Sequence, residues 1–238
     1  MTDSVLEKIK ANLRDVRERI VAACARSDRN PEDVTLVSVT KYAEPEWVDE
    51  LLALGEHHLG ESRPQQMIER AKQLPEDIQW HLIGHLQRNK ARAILPVTSL
   101  IHSVDSLRLL NTLNRLADEL KIRPRVLIEV NVTGEETKDG FPVEELTNNW
   151  GEFLTCDAVQ IEGLMTMAPR IANPEDARPV FRQLRELRDQ LIERSTRLGN
   201  PLELTQLSMG MSGDYEVAIE EGATLVRIGS KLFEGCHA

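Results

Sequence analysis

With 238 residues, ordinary apolar content and a net charge of -10, the chain is long enough to bury a proper core, and its acidic balance argues against a nucleic-acid surface or an anionic membrane surface. No apolar run is long enough to span a bilayer, and the N-terminus carries no signal-peptide pattern. Three scattered cysteines, Cys24, Cys156 and Cys236, with no CxxC pair, fit a reducing cytoplasm better than a disulfide framework or a zinc ribbon. Asn131-Val132-Thr133 matches a glycosylation acceptor, which has no meaning without a secretory route.

Residues 3–26 carry Val5, Ile9, Leu13, Val16 and Ile20 at helical spacing with charges between them, which predicts an amphipathic helix lying on a larger body. Asn30-Pro31-Glu32-Asp33 is a turn. Residues 34–41, V-T-L-V-S-V-T-K, form a short β-branched run read as a buried strand that ends on a lysine. Glu44-Pro45-Glu46 then opens a helix that Gly55 stops. The pattern repeats: a short strand over 57–60 and a helix over 64–73, a strand over 80–84 and a polar helix from about Gln87. A strand over 100–104 follows, then a helix capped by Asp105 with Leu109, Leu113, Leu116 and Leu120 on one face. Residues 125–132, R-V-L-I-E-V-N-V, are the clearest strand, and a helix over 143–154 comes after a loop. The last units are a strand over 159–165 with a long helix bearing Phe181, Leu184, Leu187 and Leu191, a strand over 202–208 with a helix over 214–221, and a strand over 224–228.

Eight short apolar strands alternating with helices, plus one extra helix at the front, are the signature of an α/β protein built as a single (β/α)8 TIM barrel. A doubly wound open sheet is the competing arrangement, and counting alone leaves it open. No linker or low-complexity segment divides the chain, so residues 1–238 are read as one domain.

In such a barrel the chemistry lies at the C-terminal strand ends. There the chain has Lys41, Gly60-Glu61-Ser62, Gly84-His85, Ser103, Asn131, Met165-Thr166-Met167, the run 208–213 (S-M-G-M-S-G) and Arg227-Ile228-Gly229-Ser230. A lysine in a partly dry pocket becomes a nucleophile toward carbonyls, whereas a lysine that merely begins a loop is solvated. The Gly and Ser residues after the last two strands suit an anion cup in which backbone N–H groups hold phosphate, or they are turn formers. Arg227, in an apolar strand beside that cup, needs an acceptor, either a neighbouring strand or a ligand. His81 and His85 are four apart, with His57, His58 and His102 nearby, but they span a strand end at Gly84 and lack an evident carboxylate partner. Packing and hydrogen bonding therefore fit them better than a metal. Paired carboxylates at useful strand ends are lacking, and there is no G-x-S-x-G elbow or Walker sequence.

The segments V-S-V-T-K (37–41), G-E-S-R-P-Q-Q (60–66), W-H-L-I-G-H-L-Q-R-N-K (80–90), I-H-S-V-D-S (101–106), G-L-M-T-M-A-P (163–169), L-S-M-G-M-S-G-D-Y-E-V-A-I (207–219) and V-R-I-G-S (226–230) span the chain nearly end to end. Together they make it resemble the pyridoxal phosphate homeostasis protein family, whose fold-type III barrel is similar to the N-terminal domain of alanine racemase. The resemblance implies pyridoxal 5'-phosphate held as a Schiff base on Lys41. It implies that Ser208, Gly229 and Ser230, with backbone groups around Met209, Gly210, Met211 and Ser212, hold the phosphate, and that Arg227 faces the pyridine nitrogen. Met165 and Ser62 are further cofactor candidates, although the family usually has Asn where this chain has Ser62, which puts that contact in doubt. Met209 and Met211 either pack beside the ring or fill core.

Two functions then compete. The first is a carrier and buffer of the cofactor, cytoplasmic and monomeric, that passes it to apo-enzymes. The second is an amino-acid racemase of weak activity. Alanine racemases of similar type carry a second domain and a tyrosine base, whereas this sequence ends at Ala238, where no such domain is expected, and has only Tyr42 and Tyr215. Lys138, in the loop 133–140, is a secondary candidate for accepting the aldehyde during loading or release.

Overall fold

The structure, a computed structural model, describes residues 2–135, 138–169 and 172–236. Its strands, in chain order, are β1 (Thr35–Val39), β2 (His58–Glu61), β3 (Gln79–Leu82), β4 (Leu100–Val104), β5 (Arg125–Asn131), the two-residue β6 (Phe141–Pro142), β7 (Gln160–Met165), β8 (Gln206–Met211) and β9 (Leu225–Ile228). They pair in parallel in the order β4-β3-β2-β1-β9-β8-β7-β5, and β4 pairs with β5. That last pairing closes the sheet, so an eight-strand barrel with surrounding helices replaces the open-sheet alternative, and β6 is an extra rung on β5.

Closure gives each strand an inner and an outer face, which is why the strands read as continuous apolar runs. Val37, Leu100, Leu127, Met165 and Leu225 meet inside the barrel as one buried cluster. The alternate residues, such as Leu36, Leu82, Ile128 and Leu207, pack outward with the helices in a second cluster. The helix α1 (Thr2–Arg26) buries Ile9, Leu13, Val16 and Ile20 against α2 (Pro45–Ala53) and α9 (Tyr215–Glu220), as the spacing of those residues predicts. Gly55, at φ +85, follows the C-cap of α2 in a conformation a side chain would strain.

Five local readings are corrected. The seventh barrel strand begins at Gln206, not Leu202, and runs to Met211. Leu204 is buried without being in a strand, so its apolar character marks core rather than β-structure. Ser106, not Asp105, caps α5 (Leu107–Leu120) by accepting from the Leu109 N–H at 3.3 Å. Asp105 instead meets His85 Nδ1 at 2.7 Å. The span 143–154 holds two short helices, Val143–Asn148 and Trp150–Phe153, and the segment after Gln87 is a 3-10 turn with a single α-turn. Lys41 lies in a turn two residues beyond the end of β1.

Candidate functional site

The strand ends open onto a cavity of about 810 Å³ lined from several sides of the barrel. Val39, Lys41 and Tyr42 come from the end of β1, Ser62 from β2, and Ile83 and Gly84 from β3. Met167 follows β7. Met211, Ser212 and Gly213 come from the end of β8, and Arg227, Gly229 and Ser230 from β9. Phe233 closes one wall.

Lys41 reaches this position because the turn beneath it is anchored. Thr40, fully buried, donates its hydroxyl to Glu61 Oε1 at 2.9 Å. Arg70 donates to the Thr40 carbonyl at 2.8 Å, to the Ala43 carbonyl at 2.7 Å and to Glu61 at 2.8 Å. Three backbone and side-chain acceptors on one guanidinium pin the turn from behind, and the Lys41 amine stands 5.1 Å from the exposed Tyr42 ring.

Beside it, after the neighbouring strands β9 and β8, Ser212 Oγ accepts weakly from the N–H groups of Gly229 and Lys231, each at 3.4 Å. These loosely held donors form a cradle in which an anion's oxygens would bond more closely than the serine hydroxyl does. Gly229 packs closely on β1: a Cβ on it would lie 3.2 Å from both the Cβ and the carbonyl oxygen of Val39. At the floor, Arg227 is buried, and its guanidinium donates to Ser208 Oγ and, at 2.9 Å, to the Thr166 carbonyl. Burial pulls its pKa down to about 10, opposed by Glu129 and Asp214, so it remains a cation at neutral pH.

Of the residues singled out in the sequence, Lys41, Ser62, Gly84, Met167, Met211, Ser212, Gly213, Arg227, Gly229 and Ser230 meet around the cavity. The others stand elsewhere. Ser208 is mid-strand and fully buried, with its hydroxyl turned to His102 and Arg227 rather than to the cradle. Met209 packs outward in the helix-facing core, and Met165 belongs to the cluster inside the barrel. Gly210 (φ +90) lies under α9, where a Cβ would fall 2.6 Å from Ala218 Cβ, so it serves helix packing. His81 is buried among other imidazoles. Lys138 bonds Glu135 Oε1 at 2.7 Å, outside the set of lining residues. The strand shift explains most of this, because moving β8 forward carries the strand end from Ser208 to Met211 and Ser212.

Ile83 and Phe233 were not anticipated as site residues. Met167 was visible as a strand-end residue, but nothing in the pattern around Phe233 marks it. Near the mouth, His85, Asp105 and Asp139 bring one donor atom each within 4.8 Å of one another, with His85 and Asp139 exposed. His81 and His85, four apart in the sequence, face different environments: the first bonds His102 and the second Asp105.

An amine, an oxyanion cradle and a buried cation arranged around one barrel mouth are the parts of a site for a phosphorylated carbonyl compound. A family model described as alanine racemase, N-terminal domain, matches residues 5–236. Alanine racemase from Clostridium difficile 630 shares the fold, with a TM-score of 0.69 at 16% identity over 95% of this chain and 56% of that one. The pyridoxal phosphate homeostasis protein of Aquifex aeolicus is 44% identical over 222 residues, covering 93% of this chain and 95% of its own. The protein of the same name from Escherichia coli K12 is 30% identical, covering 96% and 97%. Among solved structures, PipY of Synechococcus elongatus PCC7942 with PLP bound superimposes with a TM-score of 0.78 at 35% identity, covering 92% of this chain and 99% of that one. The barrel is thus of the alanine racemase N-terminal type. Within that class, the chain belongs to the pyridoxal phosphate homeostasis protein family.

Proposed function

We propose that this chain is a single-domain pyridoxal 5'-phosphate-binding protein that carries and buffers the cofactor, holding it on Lys41 as a Schiff base and passing it to apo-enzymes. The observation that carries the reading is that Lys41, Ser212, Gly229 and Arg227 line one cavity, with the N–H groups of Gly229 and Lys231 turned to Ser212 Oγ. The cofactor supplies an aldehyde, a phosphate and a pyridine nitrogen, and the cavity has a group suited to each. Lys41 takes the aldehyde carbon. The N–H groups of Gly229 and Lys231, with the Ser212 and Ser230 hydroxyls, hold the phosphate. Arg227, a permanent donor, faces the ring nitrogen and disfavours its protonation, which makes the ring a weak electron sink. Met167 and Met211 supply polarizable flanks. Ser62, whose side chain is shorter than Asn, gives the ring edge more room than the usual family residue.

The racemase alternative asks for a second base across the ring from Lys41. Among the described lining residues, the titratable groups other than Lys41 and Arg227 are Tyr42 and Glu234, and the Tyr42 ring sits beside the Lys41 amine. That neighbourhood supports the carrier. The discriminating experiment loads the protein with the cofactor and follows both transfer to an apo-enzyme and loss of optical activity in alanine. Transfer without racemisation is expected. Racemisation that dies with Tyr42→Phe would reverse the assignment.

A further inference from the structure

The barrel interior holds a file of polar groups beneath Arg227. His58 Nδ1 lies 3.0 Å from His81 Nε2, His81 Nδ1 lies 2.8 Å from His102 Nε2, and His102 Nδ1 lies 2.7 Å from Ser208 Oγ. Arg227 donates to the same serine oxygen. His81, His102, Ser208 and Arg227 are buried and His58 is half-buried, so the file begins near solvent and ends at the cavity floor.

Counting donors places every proton. Arg227 has donors only, so Ser208 Oγ accepts from it. The single serine proton then goes to the one remaining neighbour, His102 Nδ1. A proton on that nitrogen instead would leave the buried hydroxyl hydrogen without a partner among the described residues. A neutral His102 that accepts at Nδ1 carries its proton on Nε2 and donates to His81 Nδ1. His81 donates in turn from Nε2 to His58 Nδ1, and His58 keeps its proton on Nε2. Burial, the largest influence on all three rings, lowers their proton affinity and keeps them neutral.

We propose that Ser208, His102, His81 and His58 are positioning residues: a tautomer-locked column of hydrogen bonds that fixes the Arg227 guanidinium at the cavity floor. The column is not a proton path, because its direction is set by a group that does not give up its proton. Its effect is geometric. Ser208 and the Thr166 carbonyl together use two of the five guanidinium N–H groups and leave the others for a ligand. Without Ser208 the guanidinium is tied on one side only and is free to turn toward Glu129, the largest influence supporting its charge. The role of the column toward the cofactor rests on the proposed function. The tautomers do not.

The test has two readouts. Long-range 1H–15N spectra of the labelled protein, without cofactor, should show His58, His81 and His102 each protonated at Nε2 and bare at Nδ1. Ser208→Ala should move the His102 signals, and Ser208→Thr, which keeps the hydroxyl, should restore them. In cofactor-loaded protein, Ser208→Ala should release pyridoxal phosphate about tenfold faster, the effect of one lost hydrogen bond to a charged group, with Ser208→Thr within about twofold of wild type. His102→Phe, which removes the acceptor but fills the volume, should give the same acceleration and serves if Ser208→Ala does not fold. A proton on His102 Nδ1 in the wild-type spectrum overturns the column. Release at the wild-type rate from both cut variants overturns the positioning role. A wild-type protein that binds no cofactor but shows the expected tautomers refutes the proposed function and leaves the column standing.

Discussion

His81→Gln is the substitution that most sharply tests whether the barrel interior is built from neutral imidazoles. The glutamine amide can accept from His102 and donate to His58 as the imidazole does, but it cannot take up a proton. Burial of His81, followed by the influence of His58 and Arg125, lowers its pKa from 6.5 to about 3. The unfolded chain therefore binds a proton near pH 6.5 that the folded chain refuses until about pH 3. The stabilisation is fully present above pH 6.5 and is lost as pH falls toward 3, at about 1.4 kcal/mol per pH unit once the unfolded histidine is protonated. From pH 7.5 to 4.5 the wild-type chain should lose roughly 3 kcal/mol that His81→Gln does not lose, since about two pH units of that interval lie below 6.5. His58, His102 and the buried carboxyls remain in both proteins, so their contributions largely cancel in the difference. Urea unfolding of both chains at several pH values, followed by circular dichroism, measures it. Parallel stability–pH profiles would refute the reasoning, because they would mean that His81 is protonated in the folded state or is reached by water.

Glu129 carries the opposite sign. It is 4% exposed, and burial, then Asp105 and Asp139, raise its pKa from 4.5 to about 7, so it contributes stability below pH 4.5 that is lost as pH rises through 7. The shift of 2.5 units (7 − 4.5) is worth about 3 kcal/mol, so Glu129→Gln should gain that much relative to wild type between pH 4.5 and pH 8 in unfolding experiments. Gly163→Ala places a Cβ 1.8 Å from the Gln206 carbonyl oxygen, and since backbone cannot yield like a side-chain tip, a loss of about 3 kcal/mol or more, or failure to fold, is expected in thermal denaturation. Gly84→Ala puts a Cβ 2.3 Å from the Ser62 carbonyl oxygen, in the cavity wall, and should weaken cofactor binding in equilibrium titration as well as lower stability. Ser212→Ala removes one hydroxyl from the cradle and should raise the cofactor Kd about tenfold while leaving the unfolding midpoint nearly unchanged.

The fold was legible because short, continuous apolar runs alternate repeatedly with helical spacings, and a closed parallel barrel is the arrangement that buries both faces of such strands. Lys41, Ser212, Arg227 and Gly229 were legible as candidates because of their places at or just after strand ends, and the structure brings all four to one cavity. Ser208 was misplaced toward the phosphate for a local reason: the apolar residues at 202 and 204 look like strand but precede it, and Gly210 at positive φ sits inside the strand rather than ending it. The histidines were read correctly as hydrogen-bonding residues, but their alignment across β2, β3 and β4 depends on strand register, which one-dimensional spacing does not encode. Phe233 reaches the cavity only because the chain after β9 folds back over it, a tertiary event with no local signal.

The central claim is that Lys41 carries the cofactor, and reduction followed by peptide mapping tests it most directly. The purified protein is incubated with pyridoxal phosphate, its visible absorption is recorded, and it is treated with borohydride, digested and analysed by mass spectrometry. The account predicts a yellow protein and a pyridoxyl group on the peptide containing Lys41, absent in Lys41→Ala. A colourless, unmodified protein, or a label fixed on Lys138 with Lys41 untouched, would contradict it.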